Sequence, residues 1–210
     1  MSAKLARALR ATLAHAVLGA FRTRLLGSEN VPPGGAILAG NHVSYLDPVL
    51  LWCGAPRPVH FMGKVELWDS RFIGCALDRL LAFPVRRGTP DRAALTTAGE
   101  LLSAGALVGI FPEGTRHRDD GADGLGEANE GVAFMALRAG VPVVPVGIHG
   151  TAEALPRGAR VPRFPQVTIR FGDPVRPEHY ADGGRKERVQ LMTGEIMRRI
   201  ADARDKAREA

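Results

Sequence analysis

The sequence predicts a single α/β domain with a mixed, largely parallel central sheet flanked by helices. Short apolar runs rich in Val, Ile and Phe alternate with helical patterns along most of the chain, and this alternation is typical of α/β layer folds. Hydrophobic residues make up 45% of the sequence and charged residues 24%, as in ordinary globular proteins. A length of 210 residues suits one domain with its own core, so we treat 1–210 as one unit.

Six apolar runs are candidate strands because they are short and bounded by Gly or Pro. They are "GAILAG" (35–40), "PVHFMG" (58–63), "LLAFPV" (80–85), "ALVGIFP" (106–112), "VPVVPVGI" (141–148) and "QVTIRFG" (166–172). Helical patterns occupy about 44–54, 65–79, 91–104 and 129–139, and a charged C-terminal helix is predicted over 185–208. Cys53 and Cys75 fall inside these patterns, so we expect both to be core thiols rather than nucleophiles.

Residues 1–26 predict a basic amphipathic N-terminal helix. Lys4 and four arginines occur there without an acidic residue, while Leu5, Leu9 and Leu13 recur at helical spacing. Such a stripe either packs on the domain or lies on an anionic membrane surface. No run approaches the roughly 18 apolar residues that span a bilayer. We therefore expect a peripheral protein at the cytoplasmic face of the membrane, with no transmembrane span.

The net charge and the motifs that are absent argue against several classes of function. A formal net charge of +6 favours anionic partners, but 6% aromatic residues and no groove-reading motif argue against nucleic acid. No G-x-S-x-G elbow suggests a serine nucleophile. The histidines lack paired metal-ligand spacing, so we expect no metal.

Three polar clusters follow apolar runs: "NHVSYLD" (41–47), "VRRG" (85–88) and "PEGTR" (112–116). Ligand sites of open α/β sheets gather at the carboxyl ends of strands. If a turn brings Asp47 onto one ring nitrogen of His42, the other nitrogen becomes a general base for a hydroxyl. The alternative is that Asp47, followed by Pro48, only caps the next helix.

The other two clusters offer positive charge. The guanidinium of Arg116 and the backbone N–H groups before it suit phosphate oxygens, although a plain turn is the alternative for "PEG". Arg86 and Arg87 follow another strand, where a lone pair of arginines is usually solvated surface charge.

Together these segments resemble the glycerophospholipid acyltransferase family, and most closely its 1-acylglycerol-3-phosphate O-acyltransferases. "NHVSYLD" matches the N-H-x4-D block, and "FPVRRG", "FPEGTR" and "VPVVPV" match the three later blocks in the family's order. The resemblance extends over about residues 28–173. It implies a lysophospholipid acceptor, with acyl-CoA or acyl-carrier protein as the acyl donor and no further cofactor.

The resemblance also implies roles for individual residues. His42 is then the general base that deprotonates the free glycerol hydroxyl, and Asp47 orients it. The hydroxyl attacks the thioester directly, and the product is phosphatidic acid, for phospholipid biosynthesis. The implied binding residues for the acceptor's phosphate and glycerol are Arg87, Glu113, Gly114, Thr115 and Arg116. "VPVVPV" is either near the acyl end or simply a buried strand.

One segment departs from the family pattern. Many relatives carry Lys or Arg where this chain has "GLGEANEG", with Glu127 and Glu130. The acceptor is therefore lysophosphatidic acid, another lysolipid or a lipid-linked alcohol. A non-catalytic protein that binds membranes peripherally is the alternative from a different class.

Overall fold

The structure is a computed structural model that describes residues 3–86, 91–114, 125–126, 128–156, 159 and 161–210, with side chains of the first helix from Thr12 onward. The strands are β1 (Arg24–Leu26), β2 (Ala36–Gly40), β3 (Val59–Lys64), β4 (Phe83–Val85), β5 (Leu107–Ile110), β6 (Val143–His149) and β7 (Thr168–Phe171). The α-helices are α1 (Ala3–Ala20), α2 (Asp47–Gly54), α3 (Arg71–Arg79), α4 (Arg92–Ser103), α5 (Gly131–Ala139), α6 (Thr151–Ala154) and α7 (Arg185–Arg208). Short 3₁₀ turns occupy Ser28–Asn30, Val65–Asp69 and Pro177–Tyr180.

The described strands form one seven-stranded mixed sheet in the order β1-β7-β6-β2-β5-β3-β4. Strands β2 to β6 run parallel, whereas β7 pairs antiparallel with β6 and β1 pairs parallel with β7. This confirms the predicted fold class. Ile37 of β2 lies opposite Val108 of β5 and Val143 of β6, so β2 is central and its carboxyl end has a paired strand on either side.

Two hydrophobic cores cover the two faces of the sheet. Leu38 of β2 packs in the core that includes Phe21 and Leu50, on the side of α1 and α2. Its neighbours Ile37 and Ala39 pack in the core that contains residues of α4, α5 and α7. This alternation is the period of two expected of a β-strand, and it makes β2 a strand buried on both faces.

The predicted helix over residues 1–26 was wrong at its end. Helix α1 ends at Ala20, and Arg24, Leu25 and Leu26 form β1, in register with Thr168, Ile169 and Arg170 of β7. These residues gain backbone hydrogen bonds at the sheet edge, a tertiary interaction that helical spacing does not reveal. Within the described part of α1, Ala14 is buried and Val17 and Leu18 pack partly buried against the core, whereas Leu13 is 47% exposed.

The C-terminal helix spans 185–208 as predicted. The expectation for the cysteines was half right, since Cys53 is buried and Cys75, on α3, is exposed. Helix α3 has apolar residues at helical spacing, but its apolar side does not face the core, and this orientation is analysed below.

Candidate active site

The carboxylate of Asp47 organises the turn that follows β2. Its Oδ2 atom lies 2.8 Å from His42 Nδ1 and accepts the backbone N–H groups of Val43 at 2.8 Å and Ser44 at 2.7 Å. Asp47 is fully buried, and its Oδ1 atom makes no hydrogen bond within the described part of the chain. A buried carboxylate is stable only when donors surround it, so this turn is built around one anionic oxygen.

The alternative role of Asp47 as a helix cap is wrong. Asp47 is the first residue of α2, Leu46 precedes it at the cap position, and the helix has no side-chain cap hydrogen bond. The Asp47 side chain is directed back toward the turn rather than onto the N–H groups of its own helix. Pro48 favours the start of α2, because proline lacks an N–H group and the first turn of a helix offers no carbonyl partner for one.

The hydrogen bonds to Asp47 define the tautomer of His42. An ionised carboxylate only accepts, so Nδ1 of His42 carries the proton that it donates to Asp47. Nε2 then holds a lone pair, and it has no hydrogen-bond partner among the described residues. The side chain of His42 is 13% exposed, so Nε2 is the nitrogen left for a substrate hydroxyl. This is the arrangement of a general base.

Glu113 connects the two halves of the site through backbone hydrogen bonds. Its Oε1 atom accepts the N–H of His42 at 2.9 Å, and its Oε2 atom accepts the N–H of Gly126 at 3.1 Å. Glu113 is 9% exposed. Each carboxylate oxygen thus binds a different loop, so Glu113 positions His42 and the segment around Gly126. Gly114, next to it, has a left-handed backbone with a φ of 67°.

Asn41 and Phe111 complete the surroundings of His42, and the sequence interpretation had assigned neither to the site. Asn41 is buried and exchanges two hydrogen bonds with Ile148 of β6, from Nδ2 to the carbonyl at 2.9 Å and from the N–H to Oδ1 at 2.8 Å. The ring of Phe111 stacks on His42, with 4.3 Å between centroids. The signal for both was their place in the first and third sequence blocks, next to the assigned residues.

The structure brings together four of the seven predicted site residues: His42, Asp47, Glu113 and Gly114. The predicted positions Arg87, Thr115 and Arg116 lie outside the described residues, as does Glu127. Glu130 is exposed just before α5. "VPVVPV" contributes to β6, whose residues Val143 to Ile148 are buried, as expected of a strand inside the sheet.

Among the described residues, no group of three His, Cys, Asp or Glu side chains is arranged to hold a metal ion. Burial lowers the pKa of a second histidine, His60 of β3, below its ordinary value, and a hydrogen bond to the backbone of Leu81 opposes this shift. Within the described residues, no helix has both the length and the apolar character to cross a bilayer.

Fold and site together define an α/β protein with a carboxylate-oriented histidine at the carboxyl edge of its sheet. Comparison with known proteins assigns the class more narrowly. A family model described as "Acyltransferase" matches residues 22–149, a segment that contains the whole His42 turn and Glu113. The chain belongs to this acyltransferase family.

Individual relatives agree with the assignment. The chain is 30% identical over 185 residues to the 1-acyl-sn-glycerol-3-phosphate acyltransferase of Bacillus subtilis, which covers 87% of this chain and 88% of that protein. It is 32% identical over 143 residues to a chloroplastic 1-acyl-sn-glycerol-3-phosphate acyltransferase of Brassica napus, covering 66% of this chain and 40% of that longer protein.

A solved structure shows the same fold. The crystal structure of the 1-acyl-sn-glycerophosphate acyltransferase PlsC from Thermotoga maritima superposes with a TM-score of 0.71 at 26% sequence identity. The match covers 92% of this chain and 77% of that one.

Proposed function

We propose that this chain transfers a fatty acyl group from acyl-CoA or acyl-carrier protein to the free hydroxyl of 1-acylglycerol-3-phosphate, forming phosphatidic acid. The hydrogen bond between His42 Nδ1 and Asp47 Oδ2, 2.8 Å long, carries the proposal, because it leaves Nε2 as a base at the edge of the sheet. The names of the Bacillus and Thermotoga relatives support the choice of acceptor.

The reaction needs one base and no covalent enzyme intermediate. His42 Nε2 takes the hydroxyl proton while the hydroxyl oxygen bonds to the thioester carbonyl carbon. When the carbon–sulfur bond breaks, the imidazolium returns that proton to the departing thiolate, and Asp47 stabilises the positive charge in between. The products are the new ester and a free thiol, so His42 is neutral again for the next cycle.

Binding of the acceptor's phosphate is assigned to Arg87 and Arg116, with Thr115 and Gly114 beside it. Arg87 follows β4, and Thr115 and Arg116 follow Glu113 after β5. Strands β4 and β5 run parallel to β2, so both loops leave the sheet at the edge where His42 lies. The planar guanidinium group suits phosphate oxygens. Glu113 serves this site by positioning, because both of its oxygens accept backbone N–H groups.

The proposed location is the surface of an anionic membrane at its cytoplasmic face. The acceptor is a membrane amphiphile, the net charge of the chain is +6, and residues 1–26 contain five basic and no acidic residues. Each basic residue near an anionic surface contributes about 1 kcal/mol of attraction.

A second candidate acceptor, a less anionic lysolipid or a lipid-linked alcohol, is favoured by one observation. The segment around Glu127 and Glu130 is tied to the site, because Gly126 donates to Glu113 and the N–H of Asn129 donates to the carbonyl of Pro112 at 2.9 Å. Negative charge beside the acceptor site repels a phosphate monoester, which carries up to two charges.

The test is to incubate the protein with palmitoyl-CoA, or with palmitoyl-acyl-carrier protein, and each of three acceptors. These are lysophosphatidic acid, lysophosphatidylcholine and monoacylglycerol, with the products identified by mass spectrometry. The expected result is phosphatidic acid as the main product. Preferred acylation of one of the other acceptors would move the assignment to the second candidate, and no acyl transfer to any of them would overturn the proposal.

A further inference from the structure

Helix α3 presents most of its apolar side chains to solvent. Phe72 is 90% exposed and Ile73 46%, and Ala76 is also exposed, whereas the buried position of the helix is Gly74. In the preceding 3₁₀ turn, Leu67 is 38% exposed. A surface helix ordinarily buries its apolar side and exposes its polar one, so α3 is oriented in the opposite way.

The geometry of the helix confirms that the apolar side points directly outward. Successive residues are separated by roughly 100° around the axis, so Phe72 and Ala76 each lie about 160° from Gly74. Arg79 is next to Phe72 on the outer side, and Arg71 is on the flank; both are exposed. The outer face is therefore an apolar stripe with cations at its margin, which is the pattern of helices that lie in a membrane interface.

This orientation is fixed by packing beneath the helix. The indole of Trp68 lies between Gly63 of β3 and Gly74 of α3, and a Cβ atom at either glycine would come within 2.9 Å or 3.1 Å of it. Trp68 Nε1 also donates to Asp78 Oδ1 at 2.9 Å. A residue larger than glycine at either position would displace the indole. Rotation of α3 that turned its apolar face inward would therefore disrupt this packing.

The buried side of α3 is connected to the wall of the catalytic site through packed aromatic rings. Phe111 stacks on His42 and lies 6.1 Å from Phe61 of β3, centroid to centroid. Phe61 and Gly63 are two residues apart and so face the same side of the sheet, and Trp68 covers Gly63. Aromatic rings therefore lead from the base to the underside of α3.

The position in the fold agrees with this connection. Strand β3 runs parallel to its neighbours and ends at Lys64, at the edge where His42 follows β2. Leu67 follows in the 3₁₀ turn and Phe72 at the start of α3, before the chain returns along α3 to start β4. The exposed apolar residues thus lie at the catalytic edge rather than at its far side.

We propose that the α3 surface, defined as Leu67, Phe72, Ile73 and Ala76, inserts into the interfacial layer of a phospholipid bilayer. The proposal rests on the proposed function, since the lysophospholipid acceptor is itself held in that layer. A second copy of the chain is a poor occupant, because four side chains offer an area on the order of a few hundred Å², below the roughly 800 Å² per partner of stable dimers. Docked in this way, the catalytic edge faces its source of acceptor.

The test is co-sedimentation of the full chain with vesicles of phosphatidylcholine and phosphatidylglycerol. Removing two inserted apolar side chains with Phe72→Ser/Ile73→Ser is expected to lower vesicle affinity by roughly 10- to 100-fold. The matched control is Leu191→Ser on α7, where an equally apolar side chain is 58% exposed; its affinity should equal that of the wild type. Phe72→Trp should retain full affinity, because Trp favours the interface.

Vesicle binding is measured without turnover, so this result does not depend on the acceptor assay. If the double variant binds vesicles as tightly as the wild type, the proposal is wrong even where acyl transfer is intact. If vesicle binding is unchanged but the variant requires more acyl-carrier protein for half-maximal rate, α3 is a protein-docking face, which equally overturns membrane insertion. If the wild type transfers no acyl group but the double variant still loses vesicle binding as expected, only the proposed function is overturned.

Discussion

Two segments leave the same edge of the sheet and are built in opposite ways. After β2, the turn over residues 41–47 directs polar groups inward, and Asp47 is fully buried while accepting three hydrogen bonds. After β3, the segment over residues 65–79 directs apolar groups outward, and Phe72 is 90% exposed. The first segment holds charge where water is excluded, and the second holds hydrocarbon where water is present.

This difference between the two segments indicates which interactions stabilise each of them. A buried carboxylate is tolerated only because its partners are in place within the fold, so the first segment is completed by the chain itself. An exposed aromatic ring gains nothing from folding, and contiguous exposed apolar surface usually marks a binding site. We therefore expect the second segment to bind a partner outside the chain, as proposed for the α3 surface.

The largest expected effect is a loss of turnover when His42 is replaced. His42→Ala should lower the turnover of acyl transfer by about 10²- to 10⁴-fold, the usual contribution of a general base. His179→Ala is the matched control, because His179 is an exposed histidine far along the chain and should leave turnover unchanged. Steady-state rates with saturating substrates measure both. Wild-type turnover in His42→Ala would remove the histidine from the mechanism.

The next largest effect is expected for Asp47→Asn, which should lower turnover by about 10- to 100-fold. The substitution replaces a charge-assisted hydrogen bond to His42, of about 1.5–3 kcal/mol, by a neutral one. The same change should destabilise the fold, because Val43 and Ser44 donate to the same carboxylate oxygen. Rates and chemical unfolding are measured on the same sample, and an unchanged rate would mean that Asp47 is a purely structural residue.

Glu113→Gln tests the connection between the two loops of the site. Glutamine replaces one of the two carboxylate oxygens by an NH2 donor, so the N–H group of either His42 or Gly126 loses its acceptor. We expect a loss of about 1–2 kcal/mol in the free energy of unfolding, from one unsatisfied buried donor. Glu130→Gln, at an exposed position, is the control. Equal midpoints of urea unfolding for the two variants would contradict the positioning role.

The second histidine of this region gives a dependence on pH. Burial lowers the pKa of His60 in the folded state below 6.5, so the unfolded chain binds a proton first as the pH falls. His60 thus contributes stability above about pH 6.5 that is lost as the pH decreases toward the lowered folded pKa. His60→Gln should flatten that part of the profile of unfolding free energy against pH, and an unchanged slope would show that His60 is not its source.

The smallest effect is expected where the exposed segment is altered. Phe72→Ala should change the free energy of unfolding by no more than about 0.5 kcal/mol, as is usual for surface substitutions. Thermal unfolding of this variant beside Asp47→Asn sharpens the comparison between the two segments. A loss of several kcal/mol in Phe72→Ala would mean that the side chain packs within the fold and that the two segments are alike.

Much of this architecture follows from local patterns in the sequence. Six of the seven strands in the described part of the chain were predicted because each is a short apolar run between turn residues, and α7 was predicted to its residue bounds. Strand β1 was missed, since Arg24, Leu25 and Leu26 continue a helical pattern and form a strand only through pairing with β7. Edge pairing of three residues leaves no local signal.

The sequence predicted which residues belong to the site better than it predicted their geometry. The spacing of His42 and Asp47 allowed both a catalytic pair and a helix cap, and only the direction of the Asp47 side chain shows that it is not a cap. The hydrogen bond from the backbone of His42 to Glu113 joins residues 71 positions apart, which no local pattern encodes. Likewise, periodicity predicts that α3 is amphipathic but not which of its faces meets the domain.

The most direct test of the division between these two segments compares turnover with lysophosphatidic acid in detergent micelles and in phospholipid vesicles. We predict that His42→Ala loses activity in both, whereas Phe72→Ser/Ile73→Ser keeps wild-type activity in micelles and loses it only in vesicles. Equal loss by the double variant in micelles, or full activity of His42→Ala in either form, would contradict the assignment of chemistry to the first segment and docking to the second.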